Sequence, residues 1–196
     1  MITDYMDKIE GFTLIKNFLS DKEEQSLIKN INKQKWTIDY QRRLQYYGYR
    51  NELFKPYDLV PSSNKIPRFL NNLINIMIDE NIINEKPDQI IINEYLPGQR
   101  LIPHRDRISY FKDVIIGVSL NSGTVMQFIS MKDNKQKKEI YIPRKSLYIM
   151  EGEARNKWLH GIPGRKKDNI NGKFVFRDVR ISITFRYVKL NKVKYY

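Results

Sequence analysis

The chain has 196 residues, a length that favours one domain around one core, and we expect residues 1–196 to form it. It has no cysteine, which excludes disulfides, zinc–thiolate centres, iron–sulfur clusters and cysteine nucleophiles. Lys and Arg number 35 against 22 Asp and Glu, and the net charge of +13 suggests a polyanionic partner such as nucleic acid, although an AT-rich coding bias would also enrich lysine.

Membrane and export signals are not found in the sequence. No run approaches the roughly 18 consecutive apolar residues of a membrane-spanning helix. The segment that begins Met1-Ile2-Thr3-Asp4 lacks the basic and then apolar regions of a signal peptide. We therefore expect a soluble, intracellular protein without a membrane partner, and we expect it to be a monomer.

Two helices are predicted in the first half of the chain. Ser20 and Glu23 have the spacing of a capping box, and apolar residues then recur at helical intervals, which predicts a helix over Ser20–Lys33. A second helix is predicted from Pro67, which suits a first-turn position because it needs no amide donor. Its apolar face consists of Phe69, Leu70, Leu73, Ile74, Met77 and Ile78.

From Asp88 onward the pattern changes to short β-branched or aromatic runs separated by Gly, Pro, Asn or Lys. Helices followed by many evenly spaced strands predict an α+β domain with a jelly-roll or sandwich core and the early helices on one outer face. The predicted strands are Gln89–Tyr95, Val114–Leu120, Thr124–Ser130, Glu139–Ile142, Ser146–Met150 and Val179–Val188.

The chain contains only two histidines, His104 and His160. Asp106 is two residues after His104, so both side chains project from one face if the segment is extended. With His160 they would make a 2-His-1-carboxylate triad, which leaves positions open for a bidentate co-substrate and dioxygen. This set favours a non-haem iron oxygenase, although the ligands alone would also permit Zn or Mn.

The triplet His104-Arg105-Asp106 has two other interpretations. Ordinary surface or core histidines also occur in such triplets, so the triplet alone is a weak signal. The same letters occur in a protein-kinase catalytic loop, but that loop needs an Asn where this chain has Phe111, and no Gly-rich loop or D-F-G is present. The kinase interpretation is therefore rejected.

The segment from Arg180 to Arg186 alternates strictly between polar and apolar residues. Arg180, Ser182, Thr184 and Arg186 are predicted on one strand face, which is either a solvated surface or an interior anion site. A planar guanidinium binds a carboxylate through paired hydrogen bonds, and 2-oxoglutarate has a distal carboxylate that needs such a partner. On another strand, Asn93 and Tyr95 share a face and offer neutral donors to the same ligand.

In order along the chain, these motifs resemble the AlkB family, whose tRNA-modifying branch is the most similar. The resemblance covers roughly residues 42–188 and rests on Asn93-Glu94-Tyr95-Leu96-Pro97-Gly98, His104-Arg105-Asp106, Ile116 to Gly123, Pro143 to Leu147, Gly152-Glu153-Ala154-Arg155, His160-Gly161-Ile162-Pro163 and Arg180 to Arg186.

The resemblance implies a double-stranded β-helix (jelly-roll) core and an Fe(II)/2-oxoglutarate-dependent dioxygenase that uses O2. Fe(II) would be held by His104, Asp106 and His160, and these are also the implied catalytic residues. The implied 2-oxoglutarate ligands are Asn93, Tyr95, Arg180, Ser182 and Arg186. The product would be a hydroxylated substrate carbon, and an N-methyl group would leave as formaldehyde.

The segment Arg42 to Arg50 is similar to the family's nucleotide-recognition lid, where guanidiniums and rings would contact phosphates and bases. Arg42, Arg43, Tyr46 and Tyr47 are the substrate contacts that it implies. An ordinary polar loop with its aromatics against the core is the alternative. We expect an alkylated base in DNA, mRNA or tRNA as the substrate. The remaining alternatives are a protein side chain or a silent nucleic-acid-binding module with the same fold.

Overall fold

A computed structural model describes residues 9–39, 41–51 and 59–193 of the chain. Its helices are α1 (Asp21–Asn32), α2 (Arg68–Asp79), α3 (Gly152–Asn156) and a 3-10 turn, Leu190–Lys192. Its strands are β1 (Phe12–Ile15), β2 (Thr37–Asp39), β3 (Arg42–Tyr47), β4 (Tyr49–Asn51), β5 (Leu59–Pro61), β6 (Gln89–Tyr95), β7 (Leu101–His104), β8 (Phe111–Leu120), β9 (Thr124–Ser130), β10 (Lys137–Ile142), β11 (Ser146–Met150), β12 (Trp158–Ile162), β13 (Lys167–Ile170), β14 (Lys173–Phe176) and β15 (Arg180–Val188).

Both predicted helices are present, and their ends follow the local sequence. The capping box of α1 forms: the Ser20 side chain accepts from the Glu23 amide, and the Glu23 carboxylate accepts from the Ser20 amide. Pro67 is the N-cap of α2, one position before the first turn in which it was expected. Within the described ranges, no helix is long and apolar enough to cross a bilayer.

The strands form two main antiparallel sheets that enclose an interior space. The larger sheet has the order β1-β11-β8-β15-β6-β3-β2, and the smaller has the order β10-β9-β12-β7. Two further pairs, β4-β5 and β13-β14, form small hairpin-like sheets. This is the α+β, jelly-roll architecture that the sequence predicted, with the double-stranded β-helix built from the two main sheets.

The apolar core has two main parts, one on each side of the larger sheet, and a small third cluster forms around Leu59, Phe111 and Val188. The first part lies outside the sheet, where α1 and α2 cover it through Ile31, Leu73 and Met77. The second part fills one end of the space between the sheets and includes Phe128 and Tyr148. The helices are therefore packed on one outer face, as predicted, and the other end of the interior is left for a polar cavity.

Strand β15 shows why the two sides differ. Ile181, Ile183 and Phe185 are buried in the core beneath the helices. The intervening residues, Arg180 to Arg186 in steps of two, line the interior cavity. Because strand side chains alternate between faces, one strand supplies both the core and the cavity wall. The interior interpretation of this face is correct, and the solvated-surface alternative is wrong.

Most of the segment predicted as a lid forms a strand of the larger sheet. β3 pairs with β6, with Leu44 opposite Asn93 and Tyr47 opposite Ile90. It ends at Tyr47, and the next residue, Gly48, has a φ of +76° and lies where a Cβ would overlap the Asp88 carbonyl. The polar and aromatic residues of this segment are also typical of a loop, so the strand was not predicted. The other strands that the sequence did not predict include β1, β2, β7, β12 and the β13-β14 pair.

The packing of β15 predicts where stability comes from. Phe185 has no exposed surface, so Phe185→Ala should lower the free energy of unfolding by about 3–5 kcal/mol. Leu190→Ala is the control, because this side chain is 58% exposed and its truncation should cost less than about 0.5 kcal/mol. Urea unfolding of both variants measures the difference. Equal effects would mean that the face beneath the helices is not the main core.

Candidate active site

The two histidines meet because of strand pairing. His160 on β12 lies directly opposite His104 at the end of β7, and their ring centroids are 4.5 Å apart. Asp106 lies two residues beyond the end of β7. Ligand atoms of the three side chains all lie within 4.8 Å of one another, and His160 Nε2 is 3.7 Å from Asp106 Oδ2. The predicted triad is therefore assembled at one point of the cavity wall.

Hydrogen bonds orient these groups toward a common centre. His104 Nδ1 lies 3.0 Å from the Ile102 carbonyl oxygen, a contact that requires the proton on Nδ1 and leaves the Nε2 lone pair available. Asp106 Oδ1 is 2.9 Å from Arg186 Nη2, whereas no described residue donates to the buried Oδ2. A buried carboxylate oxygen without a donor fits a metal ligand.

Electrostatics keep the buried ligands in the protonation states that metals require. Burial acts to raise the pKa of Asp106, but Arg186, His160, His104 and Arg155 together lower that pKa to about 2. Burial is the main cause that lowers the pKa of His160 to about 3. The Asp106 carboxylate acts to raise this pKa, whereas His104, Arg186 and Arg155 lower it further. At neutral pH the site therefore offers a carboxylate and a neutral imidazole.

Arg155, on α3, supports the carboxylate from behind. It is 2% exposed, and its Nη1 donates to the Asp106 backbone carbonyl oxygen at 2.7 Å. Burial lowers the pKa of this guanidinium. The sequence placed Arg155 only in a family-like motif without a role. Since the contact joins residues 49 positions apart, local periodicity could not have identified it.

A second group of hydrogen-bond donors lies around Arg180, at the beginning of β15. Arg180 is 3% exposed, and its Nε donates to Ser119 Oγ at 2.9 Å. For its Nη1 and Nη2 atoms, the described part of the chain provides no acceptor. Tyr95 and Asn93 on β6 pair with Arg180 and Ser182 in register. An unpaired buried guanidinium fork fits a bidentate carboxylate ligand.

The metal triad and the arginine fork open into the same cavity of about 510 Å³. This volume is within the range of small-molecule sites. Both main sheets contribute to its walls. The polar and aromatic lining comprises Arg42, Tyr46, Gln89, Asn93, Tyr95, His104, Arg105, Asp106, Arg107, Tyr110, Phe111, Tyr148, His160, Arg180, Ser182, Thr184 and Arg186.

The four predicted substrate contacts divide between the two faces of β3. Arg42 and Tyr46 line the cavity, and the Arg42 Nε donates to Asn93 Oδ1 at 3.1 Å. Arg43 instead binds both carboxylate oxygens of Glu94 on the outer face, and Tyr47 is buried in the core beneath the helices. Arg43 and Tyr47 are therefore corrected: adjacent strand residues point in opposite directions, so only alternate ones can face a ligand.

Gln89 is a cavity residue that the sequence did not identify as functional. It is fully buried, and its Oε1 accepts from Arg186 Nη1 at 3.2 Å. Because arginine only donates, Oε1 must face Arg186, and the amide Nε2 then has no acceptor among the described residues. The sequence feature that could have identified Gln89 is the alternation of faces along β6, which places it on the same face as Asn93.

Comparisons with known proteins agree with this geometry. The family model of the 2OG-Fe(II) oxygenase superfamily matches residues 11–186. An uncharacterised protein, L905, of Acanthamoeba polyphaga mimivirus is 57% identical over 187 residues, which cover 95% of this chain and 89% of that protein. The mouse tRNA (carboxymethyluridine(34)-5-O)-methyltransferase ALKBH8 is 30% identical over 210 residues. The match covers 91% of this chain but spans only 30% of the mouse protein.

A solved structure, OsALKBH1, has the same fold, with a TM-score of 0.69 at 17% identity, and the match covers 93% of this chain and 99% of that one. The resemblance to AlkB proteins is therefore confirmed, as are the jelly-roll core and the cofactors that the resemblance implied. The chain belongs to the 2OG-Fe(II) oxygenase superfamily, whose members are oxidoreductases that use Fe(II), 2-oxoglutarate and O2.

Proposed function

We propose that the protein hydroxylates or oxidatively demethylates an alkylated base in nucleic acid. The observation that carries this proposal is made in one cavity: among the described residues, an Asp106 oxygen lacks a donor and the Arg180 fork lacks an acceptor. A metal satisfies the first group and a carboxylate satisfies the second. The name of the mouse relative refers to a tRNA uridine, which supports nucleic acid as the substrate class.

We assign Fe(II) to His104, Asp106 and His160, which are thereby the catalytic residues. Bound Fe(II), together with 2-oxoglutarate and O2, supplies the oxidation of a substrate C–H bond, while 2-oxoglutarate becomes succinate and CO2. The protein holds Asp106 anionic and His160 neutral, as metal binding requires. Arg186 and Arg155 fix Asp106 through its side chain and its backbone carbonyl, respectively.

We assign the distal carboxylate of 2-oxoglutarate to Arg180, with Tyr95, Asn93 and Ser182 beside it. Arg180 is deeply buried, so a carboxylate that reaches it is shielded from water and its ion pair is strong. Arg186 has a different part in this assignment. Because its Nη2 already contacts Asp106, it lies at the metal end of the ligand and does not bind the distal carboxylate.

The substrate base would enter beside Arg42 and Tyr46, which line the cavity from β3. Gln89 lies on the neighbouring strand and presents an amide donor to the same space. An N-methyl carbon hydroxylated there would leave as formaldehyde. The silent-module alternative is disfavoured because the triad, the Arg186 contact and the arginine fork are all retained together. A protein side chain as substrate is distinguished by experiment.

The assignment of Arg180 predicts a selective loss of co-substrate affinity. Arg180→Ala should raise the dissociation constant of 2-oxoglutarate by about two to four orders of magnitude, since a broken buried pair costs about 3–5 kcal/mol. Arg180→Lys should also bind weakly, because an ammonium lacks the planar fork. Calorimetry in the presence of Mn(II) measures these constants, and the exposed Arg100→Ala is the matched control. Unchanged affinity in Arg180→Ala would exclude it as the carboxylate ligand.

The activity itself is tested with iron-loaded protein, ascorbate and 2-oxoglutarate. We expect succinate formation to increase with tRNA, mRNA or alkylated DNA, and mass spectrometry to detect a hydroxylated or demethylated nucleoside. Asp106→Ala should abolish both, whereas Asp113→Ala, which changes an exposed carboxylate nearby, should keep them. Succinate formation that responds to proteins but to no polynucleotide would instead support the protein-substrate alternative.

A further inference from the structure

The β13-β14 hairpin carries two aromatic rings that the fold does not use. Phe174 is 61% exposed and Phe176 is 76% exposed. Across the described ranges, every other phenylalanine, tyrosine and tryptophan is buried or half-buried. Two exposed rings together on one face of a hairpin are typical of an interaction surface.

The rings point outward because the opposite face of the hairpin is fixed to the protein. Asp168 is 1% exposed, and it accepts from the Val125 amide and from Arg177 Nε and Nη2. Arg177 also donates to the Pro163 carbonyl oxygen at 2.7 Å. Asp168 pairs in register with Val175, so these two share one face of the hairpin, on which Asp168 is buried and Val175 is 39% exposed. Phe174 and Phe176 occupy the other face.

Cations surround the rings. Lys167 lies opposite Phe176 in the pairing, and its Nζ is 4.2 Å from the centre of the Phe174 ring. Lys166 and Lys173 are exposed on either side of the hairpin. The outer face, made of Lys167, Asn169, Phe174 and Phe176, contains no acidic residue. The surface therefore combines stacking groups with positive charge, which matches a polyanion that carries flat rings.

The spacing of the rings fits an extended strand of bases. Residues two apart on a β-strand are separated by about 6.6–6.8 Å, which lets successive unstacked bases each lie on one ring. The hairpin lies between His160 and Arg180 in the chain, and Lys166 packs beside Gly98 in the turn after Tyr95.

We propose that the β13-β14 hairpin is a second binding surface for single-stranded nucleic acid, outside the catalytic cavity. Phe174 and Phe176 stack on bases, and Lys167 with its neighbouring lysines contacts phosphates. This surface rests on the proposed function, because it takes the same substrate class, and it adds a specific place where nucleotides that flank the reactive one are held.

The test uses the full chain loaded with Mn(II) and 2-oxoglutarate and a fluorescent oligouridine as the probe. Phe174→Ala/Phe176→Ala should weaken binding by at least about fivefold for each ring, measured by fluorescence anisotropy. Phe174→Trp/Phe176→Trp keeps the stacking surfaces and should retain binding. The matched control is Met131→Ala/Lys135→Ala, which removes an exposed apolar group and an exposed cation on the β9-β10 turn and should bind like the wild type.

Separate readouts distinguish the hairpin from the active site. Iron-dependent succinate formation without nucleic acid should be equal in the wild type and all hairpin variants, and their thermal unfolding should change little because the rings are exposed. If the wild type binds oligouridine and the double alanine variant binds it equally well, the hairpin proposal is wrong and the proposed function stands. If the wild type neither binds nor oxidises any polynucleotide, both proposals fail.

Discussion

The site depends on one physical constraint: strand β15 buries two guanidiniums on the face opposite the apolar core. Ile183 and Phe185 pack under the helices, while Arg180 and Arg186 extend into the space between the sheets. A permanently charged group in such a place is costly unless an anion meets it. Arg186 has Asp106 as its anion, whereas Arg180 forms no salt bridge among the described residues and contacts the Ser119 hydroxyl and the Tyr95 ring. The interior is therefore suited to receive a carboxylate from outside.

The residues that stabilise the fold are different from the residues that prepare the cavity for its ligands. The cluster beneath α1 and α2 is almost fully buried and supplies most of the apolar burial. The cavity instead keeps several polar atoms without partners among the described residues, including Asp106 Oδ2, Gln89 Nε2 and the Arg180 fork. Each such atom lowers the stability of the ligand-free protein. Ligands that satisfy these atoms would recover that energy, so binding and folding are coupled.

Features set by local periodicity could be predicted from the sequence. The alternation from Arg180 to Arg186 and the shared face of Asn93 and Tyr95 follow from a period of two. The pairing of His104 with His160 did not follow from periodicity, because it depends on two distant strands meeting in register. The resemblance of residues 42–50 to the family's lid gave no sign of strand β3, so Arg43 and Tyr47 were predicted as substrate contacts although the strand turns them away from the cavity. Arg155 was missed because its contact is long-range.

We propose that one cavity holds Fe(II) at the histidine–aspartate triad and 2-oxoglutarate between the metal and Arg180. A crystal structure of the iron-loaded protein with 2-oxoglutarate, grown under anaerobic conditions and with anomalous scattering recorded at the iron edge, tests this arrangement. We expect an anomalous peak coordinated by His104, Asp106 and His160, and density for a carboxylate on the Arg180 fork. Iron bound elsewhere, or 2-oxoglutarate bound away from Arg180, would contradict it.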